Sequence, residues 1–166
     1  MKYFTPELYL RLSSKNRTVV EKAHNDWEEA IQGYAEQLNR IAPKLPASTL
    51  TLAKSLCLHD YDYLGLNMPQ APDLNNSVAA LVTRHNRSLV VLVYLLAEDP
   101  LIQEVDGPWP FSKEKVHWLY DEFDLRADGT QQHEVLLSNG RILTLRFEVV
   151  QELKHEMHPA PVAVSA

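Results

Sequence analysis

Residues 134–149 read EVLLSNGRILTLRFEV, and this stretch decides the fold. Apolar and polar side chains alternate on both sides of Asn139-Gly140. That dipeptide is the strongest short hairpin signal, because a type I′ turn needs φ > 0 at both central residues. A two-residue turn here pairs Ser138 with Arg141 and Leu136 with Leu143. The predicted core face then carries Leu136, Leu143, Leu145, Phe147 and Val149, and the mostly solvent-facing side carries His133, Val135, Thr144, Arg146 and Glu148.

Further strands precede this hairpin. The stretch VHWLYDEFDL (116–125) predicts one more strand, so residues 115–150 form a three-stranded meander. Residues 77–97, SVAALVTRHNRSLVVLVYLLA, predict a second hairpin that turns near His85-Asn86. Its second strand is apolar at almost every position, which is typical of a strand covered on both faces. We therefore expect a helix to lie across it.

The first third of the chain is predicted to be helical. Thr5, Pro6 and Glu7 form a helix start, with a capping side chain, proline in the first turn and an acid beside it. A long amphipathic helix follows over about 16–42, with apolar residues at three-four spacing, and Pro43 and Pro46 end it. Helices followed by an antiparallel sheet of about 5–7 strands indicate an α+β fold. We predict one domain over 1–150 and a loosely ordered tail over 151–166.

Composition limits the compartment and the partners. The chain has 166 residues, one cysteine and a formal net charge of −6. A lone cysteine fits a reducing compartment, and the chain has neither a signal-peptide pattern nor an apolar run of the ~20 residues that a membrane helix needs. We therefore expect a cytoplasmic protein without a membrane partner. Nucleotide-binding and nucleophile motifs are absent from the sequence, which holds only five glycines.

Acidic side chains concentrate in residues 98–124, where only two lysines oppose them. Such a region repels phosphate backbones and attracts basic partners, so we expect no nucleic acid and a possible basic protein partner. Within it, Trp109 stands between Pro108 and Pro110 and is followed by Phe111. Such an aromatic is either an anchor for a partner or a plug that folds back over the core. The acidic side chains of residues 98–124 could instead form a solvated surface that binds no partner. The acidic residues are Glu98, Asp99, Glu104, Asp106, Glu114, Asp121, Glu122 and Asp124.

Residues 56–66, LCLHDYDYLGL, hold the strongest candidate for chemistry. On a regular strand, Asp60 and Asp62 share one face and His59 points to the other. The two carboxylates could hold a divalent cation with His117 and Asp121 as further ligands, or one could act as a general acid whose pKa its neighbour raises. The alternative is structural, with Asp60 bonded to nearby backbone and His59 packed. No spacing here matches a defined metal signature.

Several short motifs together resemble a known family. They are YFTPELY at the start, a tryptophan inside the long helix, the LHD segment, and the late pattern LYDEFDL…G…H…LLSNGRILTLRF. This combination resembles a family of small uncharacterised bacterial proteins described only as a domain of unknown function. The resemblance implies a bacterial α+β protein and supplies no catalytic residues.

Two functions follow from these observations. The first is a non-enzymatic interaction or binding protein that uses the acidic region with Glu104, Asp106, Trp109 and Phe111, and needs no cofactor. The second is a metal-binding or hydrolase-like enzyme that uses His59, Asp60 and Asp62 with His117 and Asp121. The oligomeric state is not predicted.

Overall fold

Three helices precede seven β-strands in a computed structural model that describes residues 1–69, 77–110 and 115–156. The helices are α1 (Pro6–Leu12), α2 (Arg17–Ile41) and α3 (Ala47–Ser55). The strands are β1 (Asp62–Asn67), β2 (Val78–His85), β3 (Ser88–Leu96), β4 (Leu101–Glu104), β5 (Trp118–Leu125), β6 (Gln131–Leu137) and β7 (Arg141–Glu156). The predicted α+β class and the predicted number of strands are confirmed.

The helix boundaries follow the capping signals. The Thr5 side chain accepts a hydrogen bond from the Leu8 amide, and the Asn16 side chain accepts from Thr18 and Val19. Each cap satisfies amides that have no partner inside the helix. α2 ends at Ile41, where a 3₁₀ turn over Ala42–Lys44 begins. The two predicted helices are therefore confirmed to within a residue at each end.

All strand pairs are antiparallel, in the order β1-β2-β3-β7-β6-β5. β4 pairs with residues 141–144 of β7, on the edge that β3 occupies further along the same strand. The hairpin predicted near His85-Asn86 is confirmed, because His85 pairs with Ser88. The predicted meander is confirmed as β5-β6-β7.

The sheet curls until its first and last strands meet. Backbone hydrogen bonds join Asp60 N to Trp118 O (3.0 Å), Trp118 N to Tyr61 O (2.9 Å) and Tyr63 N to Val116 O (2.8 Å). Asp62 and His117 form a β-bridge between them. We call this junction the seam. The curled sheet encloses a core that includes Leu81, Leu92, Tyr94, Trp118, Phe123, Leu145 and Phe147.

The long helix lies elsewhere than expected. We predicted that it covers β3, but α2 packs against β5, where Gln37 donates to Asp124 (2.7 Å) and Phe123 N donates to the Tyr34 hydroxyl (2.8 Å). α1 packs against α2, and Tyr9 of α1 packs on Leu119 of β5 and Leu136 of β6. Apolar composition at both faces of β3 therefore did not indicate a covering helix.

The register of the decisive hairpin is one residue away from the prediction. Leu136 pairs with Ile142 rather than with Leu143. Gly140 has φ +84° and donates to Leu137 O (3.0 Å), whereas Asn139 has no positive φ. The turn is therefore a three-residue loop, Ser138–Gly140, with glycine in the left-handed position, and not a type I′ turn.

A shift of one residue changes which side chains face each other across the hairpin. Val135 pairs with Leu143, and His133 pairs with Leu145. Both Val135 and His133 are fully buried, while Val149 is 51% exposed. The predicted core face was right for Leu143, Leu145 and Phe147, and the prediction was wrong for Val135, His133 and Val149.

The chain stays in the sheet beyond the point at which we expected the tail to begin. β7 continues through residues 151–156, which pair with residues 88–93 of β3. The remaining part of the predicted tail, 157–166, lies outside the described residues. Within the described ranges, no helix is long and apolar enough to cross a membrane.

Candidate functional site

The stretch 56–66 is not one regular strand. β1 begins at Asp62, and a turn precedes it in which Asp60 has φ +67° and Tyr61 N donates to Leu58 O (3.0 Å). Aspartate tolerates this left-handed conformation better than most residues. The turn brings the side chains of His59 and Asp60 together, with Nδ1 3.0 Å from Oδ2. The prediction that they face opposite sides was wrong.

Asp62 is bound by cationic groups rather than by a second carboxylate. Its Oδ1 lies 3.0 Å from Lys115 Nζ and 3.4 Å from His117 Nδ1, and its Oδ2 accepts from Arg84 Nη2 (3.2 Å). The structure therefore brings Asp62 and His117 together, as the metal hypothesis required. However, the hydrogen bond from Lys115 and the bond from Arg84 lower the pKa of Asp62. A general acid needs the opposite shift.

Asp121 belongs to a different group of side chains. Its Oδ1 accepts from Trp118 Nε1 (2.9 Å), and its Oδ2 lies 3.1 Å from His133 Nε2. His133 Nδ1 lies 2.7 Å from the Tyr94 hydroxyl. His133 and Tyr94 are fully buried, and the histidine ring stacks on Phe123 with ring centroids 3.9 Å apart.

One tautomer of a neutral imidazole satisfies every contact in this buried chain. A neutral His133 that carries its proton on Nε2 donates to Asp121 and accepts from the Tyr94 hydroxyl. The three groups are then satisfied without a second charge in the core. His133 and Tyr94 were not predicted as partners of Asp121. The burial of His133 depends on the hairpin register, and the dipeptide Asn139-Gly140 alone does not specify the turn type that sets this register.

The predicted metal ligands are divided among three places. Asp60 pairs with His59, Asp62 with His117 and Asp121 with His133. Among the residues that the structure describes, no group of three or more His, Cys, Asp or Glu side chains could hold a metal ion. The set proposed for a divalent cation is therefore not assembled as one site.

His59 and Asp121 do share a cleft. It has a volume of about 230 Å³ and lies between the N-terminal segment, the end of α3 and β5. Cys57 and the rings of Phe4, Tyr34 and Tyr120 also line it. His59 lies against Tyr120, with ring centroids 5.0 Å apart. We call this space the aromatic cleft.

Trp109 packs inward rather than projecting from its loop. Its ring stacks on Tyr9 at 6.1 Å, and its Nε1 donates to Val105 O (2.8 Å). It also lies over Gly140, where a Cβ atom would overlap the indole. The sequence allowed Trp109 to be either an anchor for a partner or a plug that folds back over the core. This geometry is that of the plug. Phe111 lies outside the described residues.

The acidic residues of 98–124 do not form one free surface. Glu98 pairs with Arg146 (2.7 Å) and Glu104 with Arg141 (2.8 Å). Glu122 is buried and accepts from backbone amides near the N-terminus. Glu104, Asp106 and Trp109 do meet round one cavity of about 480 Å³. Glu114 lies outside the described residues.

The outer side of β2, β3 and the second half of β7 is largely apolar, and the exposed Gln151 lies on it between Val149 and Leu153. Cross-strand pairing aligns eight side chains there, and we call them the apolar face. They are Val78, Ala80, Val82, Val91, Val93, Leu95, Val149 and Leu153. Val149 and Leu153 are 51% and 48% exposed, and the other six are partly exposed. The described helices leave this face in contact with solvent.

Comparisons with known proteins gave no match among protein-family models, curated proteins or solved structures. The resemblance to a bacterial family of unknown function therefore stays a prediction.

Proposed function

We propose that this chain is a non-enzymatic interaction protein of the bacterial cytoplasm whose apolar face binds an amphipathic helix of a basic partner protein. The observation that carries the proposal is the set of eight neighbouring apolar side chains that the described helices leave uncovered. Contiguous apolar patches of this kind on soluble proteins often mark interaction sites.

The size of the face favours a helix as the occupant. Three strands spaced ~4.8 Å apart and a run of five residues at ~3.3 Å each give a patch of about 10 by 13 Å between backbone positions. A helix is ~10 Å wide and rises ~5.4 Å per turn, so two to three turns cover this patch. A stable dimer interface needs ~800 Å² from each partner, which is more than the face offers.

The charge of the chain favours a basic partner. The formal net charge is −6, and the exposed Glu148 adjoins Val149 at the border of the face. Complementary charge increases the association rate and disfavours acidic partners such as nucleic acid. The single cysteine supports the cytoplasmic location.

The enzymatic alternative has weaker support. It required His59, Asp60, Asp62 and His117 to act together, but their side chains form two separate pairs. The part of that alternative that keeps support is the cleft that His59 and Asp121 share.

The test is a titration with a synthetic amphipathic helix of leucine and lysine, followed by fluorescence anisotropy. A peptide of the same composition without the three-four spacing is the peptide control. Leu153→Glu and Val149→Glu place a charge on the face at positions that are already about half exposed. Ile31→Glu is the matched control, because Ile31 is 46% exposed on α2. Asp106→Lys tests whether the acidic region around Trp109 contributes to peptide binding.

We expect the patterned peptide to bind the wild-type protein and the Ile31→Glu and Asp106→Lys variants alike. Each glutamate on the face should weaken binding by about tenfold, since burying one aliphatic side chain contributes about 1.5 kcal/mol. Equal binding of the scrambled peptide overturns the proposal. So does a loss that Asp106→Lys alone produces, or a dimer in analytical ultracentrifugation that Leu153→Glu dissociates.

A further inference from the structure

We propose that the aromatic cleft is a second binding site, which takes a small organic cation such as an amidinium, guanidinium or primary ammonium group. This inference is independent of the apolar face. It rests on the acceptor atoms, charges and rings that line the cleft.

The carboxylate of Asp121 is the central acceptor. Its side chain is only 17% exposed, and its two oxygens have one protein partner each, Trp118 Nε1 and His133 Nε2. A carboxylate has about four acceptor positions, so each oxygen can accept one more hydrogen bond. The buried chain through His133 to Tyr94 fixes its orientation, because neither ring can turn without losing a hydrogen bond.

The charges around the cleft are negative. No lysine or arginine is among the described residues that line it. Burial raises the pKa of Tyr34, and the carboxylates of Asp121, Glu122 and Asp124 raise it further. Burial and the charge of Asp60 also raise the pKa of Tyr120. Both phenols therefore stay neutral in a negative potential, which attracts cations and repels anions.

The walls of the cleft suit a flat or compact cation. Phe4 contacts Tyr34 at 5.3 Å and Tyr120 at 5.8 Å between ring centroids, so three aromatic rings adjoin one another. Cations bind to aromatic faces, and more strongly where water is excluded. The Tyr34 oxygen already accepts from Phe123 N. The volume of about 230 Å³ is below the range for drug-sized ligands, so the ligand is small.

Three probes of one shape test the charge preference in the wild-type protein. Benzamidinium is cationic, benzamide is neutral and benzoate is anionic. Each is titrated into ¹⁵N-labelled protein up to about 10 mM, a limit that detects weak affinities. The reporter is the indole N–H signal of Trp118, because that group donates to Asp121. Trp27→Phe and Trp109→Phe variants assign the three indole signals.

We expect benzamidinium to move the Trp118 signal and to bind at least about tenfold more tightly than benzamide, because a charge-assisted hydrogen bond is lost in the neutral probe. Benzoate should not bind. Asp121→Asn should reduce the affinity for benzamidinium to that of benzamide, whereas Glu148→Gln, at an exposed position that does not line the cleft, should leave it unchanged. Leu153→Glu should also leave it unchanged, which separates this site from the apolar face.

The comparison of the three probes uses the wild-type protein, so it holds even where Asp121→Asn does not fold. Equal affinities for benzamidinium and benzamide overturn the proposal, as does binding that leaves the Trp118 signal in place. Failure of all three probes to bind overturns it as well. Titration with N-acetyl-arginine amide then distinguishes a peptide side chain from a free small molecule as the source of the cation.

Discussion

Removal of the Glu122 carboxylate should detach the N-terminal segment from the sheet. Glu122 is 5% exposed and accepts from the amides of Lys2 (2.8 Å), Tyr3 (2.8 Å) and Phe4 (2.6 Å). In Glu122→Ala these amides lose their acceptor. The buried Phe4 amide costs ~1–3 kcal/mol when unpaired, and the two half-exposed amides cost about 1 kcal/mol each because water can reach them. The variant should therefore lose about 3–5 kcal/mol of unfolding free energy.

Urea titration followed by circular dichroism measures this loss. The same change should lower the Tm by roughly 6–20 °C, at about 2–4 °C for each kcal/mol in a chain of this size. Glu148→Ala is the control, since Glu148 is an exposed glutamate in the neighbouring part of the sheet and should change the free energy by less than ~0.5 kcal/mol. A loss below about 1 kcal/mol in Glu122→Ala would refute the reasoning. Because Phe4 lines the aromatic cleft, a detached segment should also abolish benzamidinium binding.

Three further predictions concern pH and packing. The folded-state pKa of Asp62 is lowered, so its contribution is present above pH ~4 and is lost as the pH falls through the folded pKa. The difference between wild type and Asp62→Asn in urea titrations should therefore shrink on acidification. Tyr94→Phe should cost ~1–3 kcal/mol, because the buried histidine loses a partner. Burial raises the pKa of Tyr94, so this cost should shrink as the pH rises above ~10, where the unfolded tyrosine ionises. Gly140→Ala should lower the Tm more than Gly129→Ala, because both glycines have φ > 0 but only the first would meet the Trp109 ring.

The fold was largely predictable because its signals are local. Thr5 and Asn16 cap the helices at the expected positions, and turn residues separate the strands. The loop at Ser138–Gly140 was not predictable in detail. Ser138 is fully buried there and its Oγ accepts from His117 N (2.8 Å), so a contact distant in sequence helps to select the longer loop.

The candidate sites depended on long-range contacts and were less predictable. His59 and Asp121 were both named from the sequence, and the structure places both at one cleft. The partners of Asp121 could not be named, because His133 and Tyr94 approach it only after four strands, β3, β7, β6 and β5, have paired. The apolar pattern of β3 was recognised, but the pattern alone does not distinguish a covered strand face from one that stays partly exposed.

The seam between β1 and β5 has a consequence for aggregation. A sheet edge with free amides and carbonyls is a template on which a second chain can add. Here residues 60–63 pair with 116–118, and the Tyr34 hydroxyl accepts from the Phe123 amide of β5. Conditions that open the seam, such as acid that protonates Asp62, would uncover the paired segments 60–63 and 116–118 at once. Fibril formation at low pH should therefore begin from a molecule whose core is still folded.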